Sequence, residues 1–459
     1  MADRRARIRL AILAVSVFAA PLAAQQARAP APAPYTLAIA AGYKAAMMCS
    51  AIFIGGRTEA QVSALELTGI YPEYEAAVAA LPAKIDRATA TVTVSYDPAL
   101  PPRRATLRPG TGCTNAPIGA TTLPLAARVA TIGPAPASPS PWPLGDALPR
   151  IAHPPLAAVA KALGGGYKGR TTGVVVLRGK QLIAEAYADG FGPYTAQRTW
   201  SVAKSITGTL AGIAVKDGAV KVDAPARIPE WADEPSGSTR RQITLDNLLR
   251  MASGLHSDTA GNRTDAVYFG GTAVTEETVQ WPIEAKPGAR FRYANNDILL
   301  AMRSLRAALG EVRYRDFPAR ALFDRIGMRH TVAETDWRGN YVSSSQIWTT
   351  ARDLARFGLL YLDDGVWNGT RILPSGWRTY VTTPSGPQPP SGFGYGATFW
   401  LMNKVPGVPA DAFSANGNRG QFVVIIPSRS IVIVRRGEDA ANDGFDIARF
   451  TADILAEVQ

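Results

Sequence analysis

Trp200-Ser201-Val202-Ala203-Lys204-Ser205 sets a hydroxyl and an amine three residues apart at the start of a helix-compatible stretch running to Val215. Residues three apart on a helix share a face, with Cβ atoms about 5–6 Å apart, so the amine reaches the hydroxyl unaided. A serine hydroxyl is a poor nucleophile until a neighbour takes its proton. Lysine takes it only when neutral, which requires a fall of roughly 3.4 units from its ordinary value near 10.4. Burial and neighbouring charges supply shifts of about 3–5 units, so a closed site is sufficient. Alone, the spacing also fits an N-cap serine followed by a solvated lysine.

Two further segments carry compatible chemistry. In Pro287-Gly288-Ala289-Arg290-Phe291-Arg292-Tyr293-Ala294-Asn295, the Tyr293 phenol can relay a proton to a leaving group. The Asn295 amide can hold a substrate carbonyl or orient the lysine. In Asn416-Gly417-Asn418-Arg419-Gly420-Gln421, Gly417 and Gly420 permit close backbone approach, and a strand-edge N–H can stabilise an oxyanion. Taken singly, these segments also read as a structural tyrosine beside an Asn-rich turn and as a hairpin turn.

Other chemistries fail on inventory. Gly164 to Thr171 nearly spells a phosphate-binding loop, but a helix precedes it and a strand follows, the reverse of the required order. His153, His256 and His330 show no zinc-ligand spacing. No G-x-S-x-G elbow exists. No metal or cofactor is expected.

The elements that must position these groups follow from the apolar pattern. TGVVVLR and QLIAEAYA, joined at Gly179-Lys180, read as a hairpin, and so do QFVVIIP and SIVIVRR, joined near Ser428-Arg429. FDIARFTADILAEV reads as a final amphipathic helix, and LDNLLRMASGL and ARDLARFGLLYL as helices between the hairpins. The expected fold is α/β (α+β): an antiparallel sheet built from both ends of the domain, flanked by helices, with a mostly helical inserted subdomain.

That domain is assigned to residues 146–459, behind a Pro/Ser-rich linker at 132–145. Residues 30–131 read as a small N-terminal α+β module stapled by Cys49 and Cys113, whose chemical role is left open. Residues 1–29 read as a signal peptide: Arg4, Arg5, Arg7 and Arg9, a short apolar run, then Ala27-Arg28-Ala29 as a cleavage site. Periplasmic or secreted localisation follows, with no stable membrane span after cleavage. In that compartment an even cysteine pair closes a disulfide.

A hydrophobic content of 47% and a charged content of 19% suit a chain with a real core, not a disordered one. Removing the leader lowers the net charge from +12 to +8. The arginines are scattered without interleaved aromatics, so nucleic acid is not an expected partner. The oligomeric state is left open.

SVAK, ITLDNLLRMASGL, PGARFRYAN, TTARDLARFGLLYLDDGVWNG and ANGNRGQFVVIIP occur in that order. The ordered set resembles the serine β-lactamase-related superfamily (class C β-lactamases and D,D-peptidases). Within it, the nearest branch is that of 6-aminohexanoate-dimer hydrolases and related esterases, and the resemblance covers roughly residues 150–459. It implies an acyl-enzyme on Ser201, Lys204 as base, Tyr293 as proton relay and Asn295 lining the acyl site. The N–H groups of Ser201 and Asn418 would hold the oxyanion. The family's third-motif Lys-Thr-Gly is here Ala415-Asn416-Gly417, so carboxylate recognition loses its cation unless Arg419 substitutes. The expectation is an exported hydrolase of small esters or linear amides. A β-lactamase or peptidoglycan D,D-peptidase, and a catalytically inactive envelope binding or sensor protein, are the alternatives.

Overall fold

A computed structural model describes residues 33–122, 136–148, 154–257, 264–441 and 443–458. The leader at 1–29, and parts of the segments assigned to module and linker, lie outside them. From Pro34 onward the chain packs as one compact unit.

The N-terminal segment begins with α1 (Pro34–Phe53) and α2 (Pro72–Ala80), followed by β1 (Ala83–Asp86), β2 (Thr91–Val94), β3 (Arg103–Arg108) and β4 (Gly112–Asn115). The strands form a four-stranded antiparallel sheet in sequence order. By length and composition α1 is apolar enough to cross a membrane. Instead, sixteen of its twenty residues are buried inside the protein. Cys49 on α1 and Cys113 on β4 form a disulfide with their Cα atoms 6.1 Å apart.

The larger part continues through α3 (Ala157–Leu163), β5 (Thr171–Arg178), β6 (Gln181–Tyr187), α4 (Val202–Lys216), α5 (Asn295–Tyr314) and α6 (Ala351–Leu362). It ends with β7 (Gly394–Tyr395), β8 (Trp400–Leu401), β9 (Phe413–Gly417), β10 (Gln421–Ile426), β11 (Ile431–Gly437) and α7 (Ile447–Glu457). The sheet runs β7-β8-β9-β10-β11-β5-β6, antiparallel throughout. Its centre joins the chain ends, with Ile433 opposite Val176 on one side and Val424 on the other.

The continuous apolar runs of β5, β10 and β11 exist because both faces are covered. Val175, Leu177, Val423, Ile425, Val432 and Val434 pack with α4 and α6 residues in the main core. Val174, Val176, Val424, Ile426, Ile431 and Ile433 pack with α3 and α7 residues in a second core. Side chains alternate across a strand, so each run serves two cores at once. The sequence between Gly164 and Lys168 is a helix-to-strand turn with Gly165 at φ +78°, as its order of elements requires.

Candidate active site

The turn that carries Ser201 is set by one strained residue. Trp200 has φ +49°, rare for a large side chain, and swings the chain from the short strand Gln197–Arg198 into α4. Ser201 occupies the N-cap position but makes no capping bond, which leaves its hydroxyl for other partners. One turn on, Lys204 is 1% exposed. Its Nζ lies 2.9 Å from Ser201 Oγ, 2.6 Å from Asn295 Oδ1 and 2.9 Å from the Ser344 carbonyl. Nζ can donate to all three oxygens; in the neutral amine two N–H groups suffice for the carbonyl oxygens, which leaves the lone pair for Ser201. Burial, aided by the Arg198 guanidinium, lowers the Lys204 amine to about 7.

Tyr293 precedes α5, with the Lys204 ammonium site 5.0 Å from its ring centroid. Burial pushes its phenol up to about 12, while hydrogen bonding with Ser201 and Trp400 opposes the shift. The phenol therefore stays protonated at neutral pH and can donate. Asn295 opens α5 and spends both ends of its amide on protein: Oδ1 on Lys204, and Nδ2 on Thr264 Oγ1 at 3.0 Å. Of the two uses open to it, orienting the lysine is the one this geometry serves.

The third segment divides. A Cβ added to Gly417 would lie 2.4 Å from the Thr199 carbonyl and 3.1 Å from the Ser201 nitrogen, so only glycine lets β9 lie this close to the nucleophile. Asn418 lines the same cavity. Gly420, expected at the oxyanion site, is not among the cavity residues. It packs on the Arg435–Asp439 ion pair at φ +75°, where a Cβ would fall 1.6 Å from the guanidinium. Arg419 does not replace the missing lysine either. It is buried, with Nε on Glu438 at 2.9 Å and its remaining nitrogens on the carbonyls of Leu65, Thr68 and Gly69.

Ser201, Tyr293, Asn295, Gly417 and Asn418 line one cavity of about 400 Å³. The β-lactamase family model matches residues 156–455. The chain belongs to the β-lactamase family. The 6-aminohexanoate-dimer hydrolase of Paenarthrobacter ureafaciens is 30% identical over 225 residues, covering 45% of this chain and 56% of that protein. The chain thus spans little more than half the length of that curated relative. Among solved structures, a candidate 6-aminohexanoate-dimer hydrolase from Bacillus anthracis aligns with TM-score 0.55 at 21% identity, over 68% of this chain and 87% of its own. EstCE1, a hydrolase with promiscuous acyltransferase activity, aligns with TM-score 0.51 at 17% identity, over 66% and 98%.

Within this β-lactamase-family cavity, sequence reasoning missed most of the walls. Trp200, Tyr268, Phe393 and Trp400 line it, as do Ser345, Ser391 and Gly392. Tyr71 lines it from outside the family match. The run Ser343-Ser344-Ser345 carried a signal, since three small polar residues entering the strand Ile347–Thr349 leave carbonyls free to meet an amine. Nothing in the motifs marked Tyr71. Among the described residues no charged side chain lines the cavity.

Proposed function

We propose that this protein is an exported serine hydrolase that cleaves small uncharged esters or linear amides through an acyl-enzyme on Ser201. The observation that carries the reading is a buried amine, lowered to about 7, 2.9 Å from a hydroxyl that opens into an uncharged aromatic cavity.

Ser201 Oγ attacks the substrate carbonyl carbon as its proton passes to Lys204 Nζ. The negative charge that develops on the carbonyl oxygen is held by the N–H groups of Ser201 and Asn418, near the N-terminus of α4. Tyr293 gives its phenolic proton to the leaving oxygen or nitrogen and regains one from Lys204. The C–O or C–N bond breaks and the acyl-enzyme remains. Water, deprotonated along the same route, then attacks the acyl carbon and frees Ser201. Export is supported by the basic-then-apolar leader pattern and by the closed Cys49–Cys113 pair. The named relatives support the ester or amide class.

The purified protein is expected to show a burst with p-nitrophenyl butyrate, and Ser201→Ala to reduce turnover by about 10³-fold or more. Unchanged turnover in that variant overturns the reading. A fluorescent penicillin is expected to leave Ser201 unlabelled, since no cation among the described lining residues meets its carboxylate. Labelling there would move the function to β-lactam or peptidoglycan chemistry.

A further inference from the structure

The cavity has two aromatic walls built from different parts of the chain. On one side Tyr293 packs against Trp400 at 5.2 Å and Tyr395 at 6.0 Å between ring centroids. In a second ring cluster, Tyr71 meets Trp200 edge-on at 6.3 Å and Phe269 at 6.5 Å. Tyr268, edge-on to Phe269 at 5.9 Å, completes that second wall and is fixed through its hydroxyl, 2.5 Å from Ser344 Oγ. Under the acyl-enzyme reading, on which this inference rests, Tyr293 serves the leaving group and so marks its side. The Tyr71 cluster, whose ring contacts do not include Tyr293 among the described residues, is then assigned to the acyl group.

Tyr71 is held rigidly at that wall. Pro72 fixes the first position of α2 directly behind it. The carbonyls of Thr68 and Gly69, three and two residues earlier, accept from Arg419, which is adjacent to Asn418 in the third motif. Gly69 has φ +61°, and a Cβ there would lie 2.9 Å from Ala440, so this stretch is pressed against the larger part of the protein. The Tyr71 ring therefore reaches the cavity from a latched support and not from a free loop.

We infer that the N-terminal segment is a specificity element, and that Tyr71 closes the acyl side of the cavity and limits the length of the uncharged acyl chain. A ring removed from an apolar pocket wall admits several methylenes, and discrimination per methylene group is about tenfold or more.

The test compares kcat/KM for p-nitrophenyl octanoate and p-nitrophenyl acetate. Tyr71→Ala is expected to raise the octanoate-to-acetate ratio about tenfold or more, and Tyr71→Trp to lower it. A fold merely loosened by substitution cannot produce opposite signs. The same two esters are titrated against Ser201→Ala and Ser201→Ala/Tyr71→Ala proteins by quenching of tryptophan fluorescence, which reads binding without turnover. Ratios unmoved in both assays overturn the inference and leave the hydrolase reading intact if turnover is Ser201-dependent. A shift in an alcohol-length series in place of the acyl series overturns it too. A binding shift without Ser201-dependent turnover removes the hydrolase reading and overturns the acyl-side assignment with it, leaving Tyr71 as a wall of a binding cavity.

Discussion

The floor of the cavity and its Tyr71 wall are held by different kinds of force. Ser201 and Lys204 meet because one helical turn brings them together, and Asn295 joins them by a single long-range hydrogen bond at 2.6 Å. Tyr71 reaches the same space through long-range anchors, among them a disulfide, a buried guanidinium bonded to three carbonyls, and an edge-on ring contact. A second buried guanidinium, Arg57, donates to the Gly190 carbonyl at 3.0 Å and lies 3.8 Å from the Phe191 ring centroid. The difference teaches that groups one turn apart are placed by local geometry, while the Tyr71 wall of the cavity depends on how distant segments dock.

Breaking the floor should have the largest effect. Lys204→Ala is expected to lower kcat/KM by about 10³-fold or more, because in the proposed mechanism the hydroxyl loses its base. Lys204→Arg should not restore it, since a guanidinium stays protonated. Under the proposed mechanism the neutral amine is the active form. Activity should therefore rise about tenfold per pH unit up to about 7 and level off above it. A profile without that limb, measured as kcat/KM from pH 5 to 9, would deny Lys204 the role of base.

Breaking the wall should act on stability first. Cys49 and Cys113 are 64 positions apart, and a bridge closing such a loop contributes about 4 kcal/mol in the chain-entropy model. Cys49→Ala/Cys113→Ala should lower the denaturant midpoint accordingly. Acyl-length selectivity should drift toward that of Tyr71→Ala in the same protein. Lost stability with selectivity unchanged would show that the wall keeps its place without the staple.

That contrast also explains what was legible in the sequence. The central hairpins were readable because β5, β10 and β11 are uninterrupted runs of β-branched residues, which need two covered faces. Ser201 and Lys204 could be brought together from spacing alone, one helical turn, whereas Asn295 meets Lys204 across 91 positions by a bond that no local spacing predicts. Gly420 misled because glycine reports only that a Cβ is forbidden, and here the excluding group is Arg435 rather than a substrate. Arg419 misled because a cation beside a motif looks free until its partners are known, and they lie some 350 residues away at Leu65, Thr68 and Gly69. Tyr71 was invisible for the same reason: no periodicity or spacing near it refers to Trp200.

The smallest expected effect probes the grip of the N-terminal segment without touching the cavity. Tyr74, on α2, donates its hydroxyl to Asp265 Oδ2 at 2.8 Å, across 191 positions of chain. Burial raises the Asp265 carboxyl to about 7, and the Tyr74 bond opposes that rise, so the bond favours the ionised form. A carboxyl raised in the folded state resists ionisation there, and stability falls as pH climbs from about 4 to about 7. Tyr74→Phe should deepen that fall, costing about 1–2 kcal/mol at pH 8 and less at pH 5, where the acid is already protonated. Denaturant titrations at the two pH values measure the difference. An equal cost at both would mean that the tyrosine acts by packing alone, and the docking of the segment would then rest on Arg419, Arg57 and the disulfide.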